Sequence, residues 1–157
     1  MLIKDINFWF FVLFIFEIIF NCFKLKKLNV SIIIPTRNRY NKLINTISYL
    51  SKNSFFFKEL IIVDSSENKK EYKKYLESKF KNLNLKIFNS SPSISLQRNI
   101  GLRRVNKNSN YIMFLDDDIK FEKNSLRVMK NFLIKNKKYF GIGFNLITKD
   151  HHYFIEK

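Results

Sequence analysis

Asp116, Asp117 and Asp118 stand side by side immediately after the apolar run YIMFL at residues 111–115. Three adjacent carboxylates repel one another, and packing needs no such cluster, so a cation is expected to compensate them. A hard divalent ion suits the chemistry. Magnesium or manganese takes carboxylate oxygens and keeps positions open for phosphates. The preceding run is too short for a buried helix and rich in aromatic and branched residues, which predicts a buried strand of a parallel sheet. In open α/β sheets ligands bind beyond the carboxyl ends of the strands, where this cluster falls. A solvated acidic turn is the alternative reading.

Two more apolar runs end in polar loops and imply the same edge. Residues 29–34 (NVSIII) lead to Pro35, where the strand is expected to stop, and on to Thr36, Arg37, Asn38 and Arg39. Residues 59–64 (ELIIVD) close on Asp64, followed by Ser65 and Ser66. Between them Leu43, Ile47 and Leu50 recur at helical spacing and predict a helix over 40–52. Tyr72, Leu76 and Phe80 form one apolar stripe on an otherwise charged helix. A short strand at 85–88 follows, and Ser90, Ser91, Pro92 and Ser93 supply turn and cap chemistry for a helix carrying Gln97, Arg98, Asn99 and Gly101. After the aspartates, Asn124 or Ser125 can cap a helix with the apolar face Leu126, Met129, Phe132 and Leu133, and residues 139–147 read as a last strand. Strands alternating with helices give an α/β fold: right-handed crossovers and a mostly parallel sheet flanked by helices. Parallel strands deliver all three loops to one edge. A nucleotide laid there would put base and ribose near Asp64 and phosphates near the triple aspartate, bridged by the metal.

Composition bounds the partners. The 157 residues hold 29 Lys and Arg against 13 Asp and Glu, a formal charge of +16, which predicts attraction to anions. Charge alone does not separate nucleic acid, acidic lipid and phosphorylated small molecules, and a chain this poor in Gly and Pro owes part of its Lys excess to compositional drift. The single Cys22 excludes an intramolecular disulfide and a cysteine zinc site. His151 and His152 are adjacent, so their side chains diverge and share no metal. Sequons at Asn29 and Asn89 are short enough to arise by chance.

Residues 6–23 are apolar except for Asn7, Glu17 and Asn21, and Lys24, Lys26 and Lys27 follow. They predict an N-terminal hydrophobic helix that spans or lies on a membrane, with the basic flank holding the rest at the cytoplasmic face. Glu17 at mid-segment argues against a lone span, and a helix packed on protein or a cleaved signal are the other readings. The expected division is 1–27 for this membrane-associated helix and 28–157 for the globular domain.

VSIIIPTRNR, ELIIVDSS and SLQRNIGLRRVNKNSNYIMFLDDDI resemble, in order and spacing, the nucleotide-binding half of family 2 glycosyltransferases with the GT-A (Rossmann-like) fold. The resemblance covers about residues 29–147. It implies a nucleotide-sugar donor, a saccharide or lipid-linked acceptor, a divalent metal, no nucleic-acid partner, and a role in surface polysaccharide or glycolipid synthesis. It further implies that Pro35, Thr36, Arg37 and Asn38 line the nucleotide pocket and that Asp64 and Ser65 sit near base and ribose. Arg98 would lie near the diphosphate. Asp116 and Asp118 correspond to the metal motif, Asp118 the more direct ligand, with Asp116 or Asp117 on the ribose.

Two departures stand out. Ser65 takes a place where the family often has a second Asp, and a hydroxyl reads a base edge differently from a carboxylate. The family's base for the acceptor hydroxyl falls well beyond the last strand, so it is expected past Lys157, and a nucleotide-binding fragment without transferase activity is the alternative. Of the rivals, a haloacid-dehalogenase-type phosphatase expects its Asp-x-Asp on the first strand, and a nucleoside-triphosphatase expects a Gly-rich phosphate loop. Neither feature is here. A membrane-attached basic module binding lipid or RNA has the right charge and no base-stacking motif.

Overall fold

The computed structural model describes residues 29–136, 138, 142 and 143. Its axis is β1 (Val30–Thr36), buried along its whole length. On one side β1 pairs in parallel with β2 (Glu59–Asp64), which pairs with β3 (Leu85–Asn89); on the other it pairs with β4 (Tyr111–Phe114). The resulting order, β3-β2-β1-β4, places neighbouring crossovers on opposite sides of β1. That reversal opens a crevice beyond the ends of β1 and β4, where an open α/β sheet binds its ligands.

Alternation along β1 and β2 divides the core. Val30, Ile32, Ile34, Leu60 and Ile62 face Leu43, Ile47 and Leu50 of α1 (Tyr40–Ser51), Leu76 of α2 (Lys69–Lys79), and Leu126, Met129 and Leu133 of α4 (Ser125–Lys135). Ile33, Ile61 and Val63 face the other way, onto α3 (Ile94–Arg104), whose Ile100 packs against them. Branched residues at every second position suit both faces of a central strand. Ser93 caps α3 as expected, accepting the Leu96 N–H at 3.3 Å.

Several expectations are corrected. Pro35 does not end β1, which runs on to Thr36. The Thr36 carbonyl accepts from Ser65 of the β2 side and the Ile33 carbonyl from Leu115 of the β4 side, so odd residues of β1 turn toward β4. Pro35 thus turns its donorless nitrogen toward β4 just where that pairing has ended, at Ile33 and Phe114. No ladder bond is lost. β4 is not buried on both faces: Ile112 and Phe114 are 44% and 45% exposed, because β4 is an edge of the described sheet. Asn124 makes no side-chain cap bond and sits at φ 68°, while the Ser125 hydroxyl turns back to the Glu122 carbonyl, 2.7 Å. Phe132 faces outward, leaving Leu133 to fill the α4 core position. The helix expected at 6–23 lies outside the described residues, as does most of the strand expected at 139–147; Ile142 and Gly143 are described and are not in a strand. Among the described residues no helix is long and apolar enough to cross a membrane.

Candidate functional site

The loop after β4 is strapped to β1 and α1 by two threonines. Thr36 Oγ1 donates to Asp117 Oδ2 at 2.8 Å, and Thr46 Oγ1 donates to the Asp117 carbonyl at 2.9 Å. These bonds turn Asp117 inward, to 3% exposure, and leave Asp116 and Asp118 facing out. Adjacent residues of identical type therefore have different surroundings. Burial, reinforced by the Asp118 and Asp116 charges, pushes the Asp117 carboxyl above its ordinary range despite Thr36 and Arg39. Burial pushes Asp118 the same way, but Lys42 and Arg39 outweigh it and hold that carboxyl below its ordinary value. Arg39 Nη1 lies 3.0 Å from Asp117 Oδ1 while Nη2 reaches Asp118 Oδ2, which Lys42 Nζ also approaches at 3.4 Å. Arg98 Nη2 pairs with Asp116 Oδ1 at 3.3 Å, and its guanidinium lies over the Phe114 ring.

A cavity of about 280 Å³ brings together Pro35, Thr36, Arg37 and the three aspartates. Asp64 is set deeper. Its Oδ2 accepts the Tyr40 hydroxyl at 2.9 Å and its Oδ1 the Ser66 N–H at 2.8 Å. The Tyr40 ring stacks on Tyr72, and its hydroxyl is pushed up to about 12, first by burial and then, against a Ser66 hydrogen bond, by Asp64. Ser65 is buried, with its hydroxyl turned to the Thr36 carbonyl. Asn38, in a left-handed conformation at φ 52°, ties the two strand-end loops: its N–H donates to Ser66 Oγ at 2.7 Å and its Oδ1 accepts the Glu67 N–H. Asn has a short polar side chain that tolerates this region.

Gln97 is the residue that sequence reasoning passed over. It is buried, and its Nε2 donates to the Thr36 carbonyl at 2.8 Å and the Val63 carbonyl at 2.7 Å, clamping the ends of β1 and β2 from the α3 side. The available signal was Gly101 four residues on, which marks the face of α3 pressed to the sheet. A Cβ on Gly101 would land inside contact distance of Ile33 Cγ2, a branched methyl in a fully buried position. Gly101→Ala is expected to lower stability by about 1–2 kcal/mol through overpacking, read as a lower urea midpoint at unchanged slope. An unchanged midpoint would mean that α3 does not approach β1 this closely.

Residues 31–155 match the model for Glycosyl transferase family 2. The chain belongs to that family. It is 38% identical to the minor teichoic acid biosynthesis protein GgaA of Bacillus subtilis (strain 168), a match covering 65% of this chain and 24% of GgaA. The structure of S. aureus TarS 1–349 superposes with a TM-score of 0.59 at 19% identity, covering 77% of this chain and 40% of that one. A second TarS structure gives 0.56 and covers 24% of that chain. The TarS likeness establishes the fold, an α/β sheet flanked by helices of the GT-A kind. The chain spans less than half the length of each of these relatives.

The divalent metal that the family implies can be tested against these residues. Asp117 Oδ1 is buried and receives no hydrogen bond from the described residues, its one cationic neighbour being Arg39 Nη1 at 3.0 Å, and the outward-facing Asp116 and Asp118 flank it, which suits a hard cation. Among the described residues no three His, Cys, Asp or Glu side chains converge on one point. The described residues therefore offer carboxylate oxygens to a hard cation without a closed ligand set of their own.

Proposed function

We propose that this chain supplies the donor-binding half of a glycosyltransferase that takes its sugar from a nucleoside diphosphate sugar and works in assembly of a cell-surface glycopolymer. The observation that carries the reading is the family match combined with the meeting of Thr36, Arg98 and the triple aspartate at the switch point of the sheet. The teichoic acid role in the name of GgaA favours a surface polymer as the product.

In this reading Asp118 would hold the metal together with Asp116 or with Asp117, whose Oδ2 Thr36 anchors and whose Oδ1 takes no hydrogen bond. A bound metal would neutralise charge on the leaving diphosphate. Arg98 turns from Asp116 to the diphosphate with charge-assisted hydrogen bonds. Pro35, Thr36 and Arg37 border the nucleotide. Asn38, Asp64 and Ser65 support its base side from behind, since both Asp64 oxygens are already engaged. In the transfer, the acceptor oxygen bonds to the anomeric carbon as the carbon–oxygen bond to the diphosphate breaks. The acceptor proton passes to a base for which no described residue is proposed.

Calorimetric titration of the chain with UDP, dTDP and GDP, with and without Mn²⁺, tests this. Metal-dependent binding of one nucleotide is expected, weakened by about tenfold or more in Asp118→Asn. A folded protein that binds none of the three would sink the donor-site reading.

A further inference from the structure

We infer that Arg39 is an internal counter-ion that holds Asp117 and Asp118 against a bare divalent metal, so that the metal binds together with the donor diphosphate and not ahead of it. The inference rests on the metal-dependent donor site proposed above. Among the described residues, the three carboxylates of Asp116 to Asp118 are matched by three cations, Arg39, Lys42 and Arg98. Of the described residues Arg39 alone bridges two of the carboxylates; Lys42 and Arg98 each touch one. Its guanidinium thus stands where an ion shared by Asp117 and Asp118 would stand.

The contact is built to be exchanged. On the carboxylate side, Asp117 is buried and held by Thr36, so it does not move out. The Arg39 backbone is equally tied: its carbonyl accepts the first N–H groups of α1 from Lys42 and Leu43, and Asn38 before it is pinned to Ser66. Only the Arg39 side chain, 44% exposed, is free to leave. Its hold on Asp117 Oδ1 is an ion pair without hydrogen-bond alignment, so the one aligned bond to be replaced is that from Nη2 to the exposed Asp118 Oδ2. A bare ion would bring two positive charges to a cluster already balanced and would strand the displaced guanidinium. A metal arriving with a diphosphate adds little net charge and offers that guanidinium an anion to turn to.

The test titrates the full chain with Mn²⁺ alone, then with the preformed Mn²⁺–pyrophosphate complex, reading protein-bound Mn²⁺ by equilibrium dialysis against a protein-free control that holds the same pyrophosphate. The parent is expected to bind Mn²⁺ alone weakly and Mn²⁺ with pyrophosphate more tightly. Arg39→Gln should bind Mn²⁺ alone about three- to tenfold more tightly than the parent, and Lys42→Gln should change it by less than about twofold. Arg39→Lys keeps the charge without the two-carboxylate fork, so it should fall between, and it serves if the glutamine variant does not fold. A folded Arg39→Gln protein with no gain for Mn²⁺ alone, or a parent that binds Mn²⁺ equally well without pyrophosphate, overturns the counter-ion role while leaving the donor site standing. No Mn²⁺ binding by parent and variant alike, with or without pyrophosphate, overturns both.

Discussion

Gln97→Ala is expected to lower the stability of the domain by about 2–4 kcal/mol, through two lost hydrogen bonds of about 1 kcal/mol each and the cavity left by the side chain. The Thr36 carbonyl keeps its bond from the Ser65 N–H, so it is not orphaned, which is why the loss stays in this range. The consequence reaches past stability. The clamp joins α3 to the ends of β1 and β2, and Thr36 at that end carries Asp117. Loosening it should weaken metal-dependent nucleotide binding along with folding. Gln97→Glu separates donation from volume, because a carboxylate fills the space but repels both carbonyls, and it should be at least as harmful as alanine. Urea denaturation at neutral pH reads the effect. A shift below about 0.5 kcal/mol, the size of a neutral surface change, would refute the clamp.

Much of the frame was legible because strands and helices bury residues at different periods. The run ELIIVD predicted β2 to the residue, and Leu43, Ile47 and Leu50 marked the buried face of α1. The three polar loops do share one edge, since parallel strands allow nothing else. Direction within a loop was not legible. Nothing in the order Asp-Asp-Asp says that the middle carboxylate turns inward; that depends on Thr36 and Thr46, which are remote in sequence. The compensating cation was expected to be a metal, and the nearest compensation comes from Arg39, Lys42 and Arg98, whose positions depend on how α1 and α3 dock. Gln97 escaped because a polar residue on a helix ordinarily reads as solvated. Pro35 was given too much weight as a strand stop, because the side toward which its nitrogen points follows from register.

Glu59→Ala is expected to cost about 3 kcal/mol and to remove part of the acid sensitivity of folding. Glu59 opens β2 at the end of the sheet opposite the aspartates and is fully buried. Its Oε1 accepts the Ser31 hydroxyl and the Asn106 N–H, each at 2.6 Å, and its Oε2 pairs with Lys86 Nζ at 2.6 Å. Truncation leaves these donors without their acceptor, although Lys86 is partly exposed and recovers some hydration, which moderates the loss. Burial alone would raise the Glu59 carboxyl; Lys86, Ser31 and Asn106 outweigh it and hold the carboxyl below its ordinary value of 4.5. A carboxyl depressed on folding stabilises fully above its unfolded value and loses that contribution as pH falls through the folded one. Between about pH 7 and about pH 4 the parent should therefore begin to lose stability that Glu59→Gln, with no proton to take up there, does not lose. The same network anchors the approach to β4: Ser31 meets Ser109, and the Asn29 carbonyl accepts the Asn110 and Tyr111 N–H groups. The register of β4 against β1 begins at this end and sets where Asp116 to Asp118 emerge at the other. Denaturant unfolding of the parent, Glu59→Gln and Glu59→Ala at both pH values decides the matter, and identical pH slopes for parent and glutamine variant would show that the buried carboxylate is not what acid attacks.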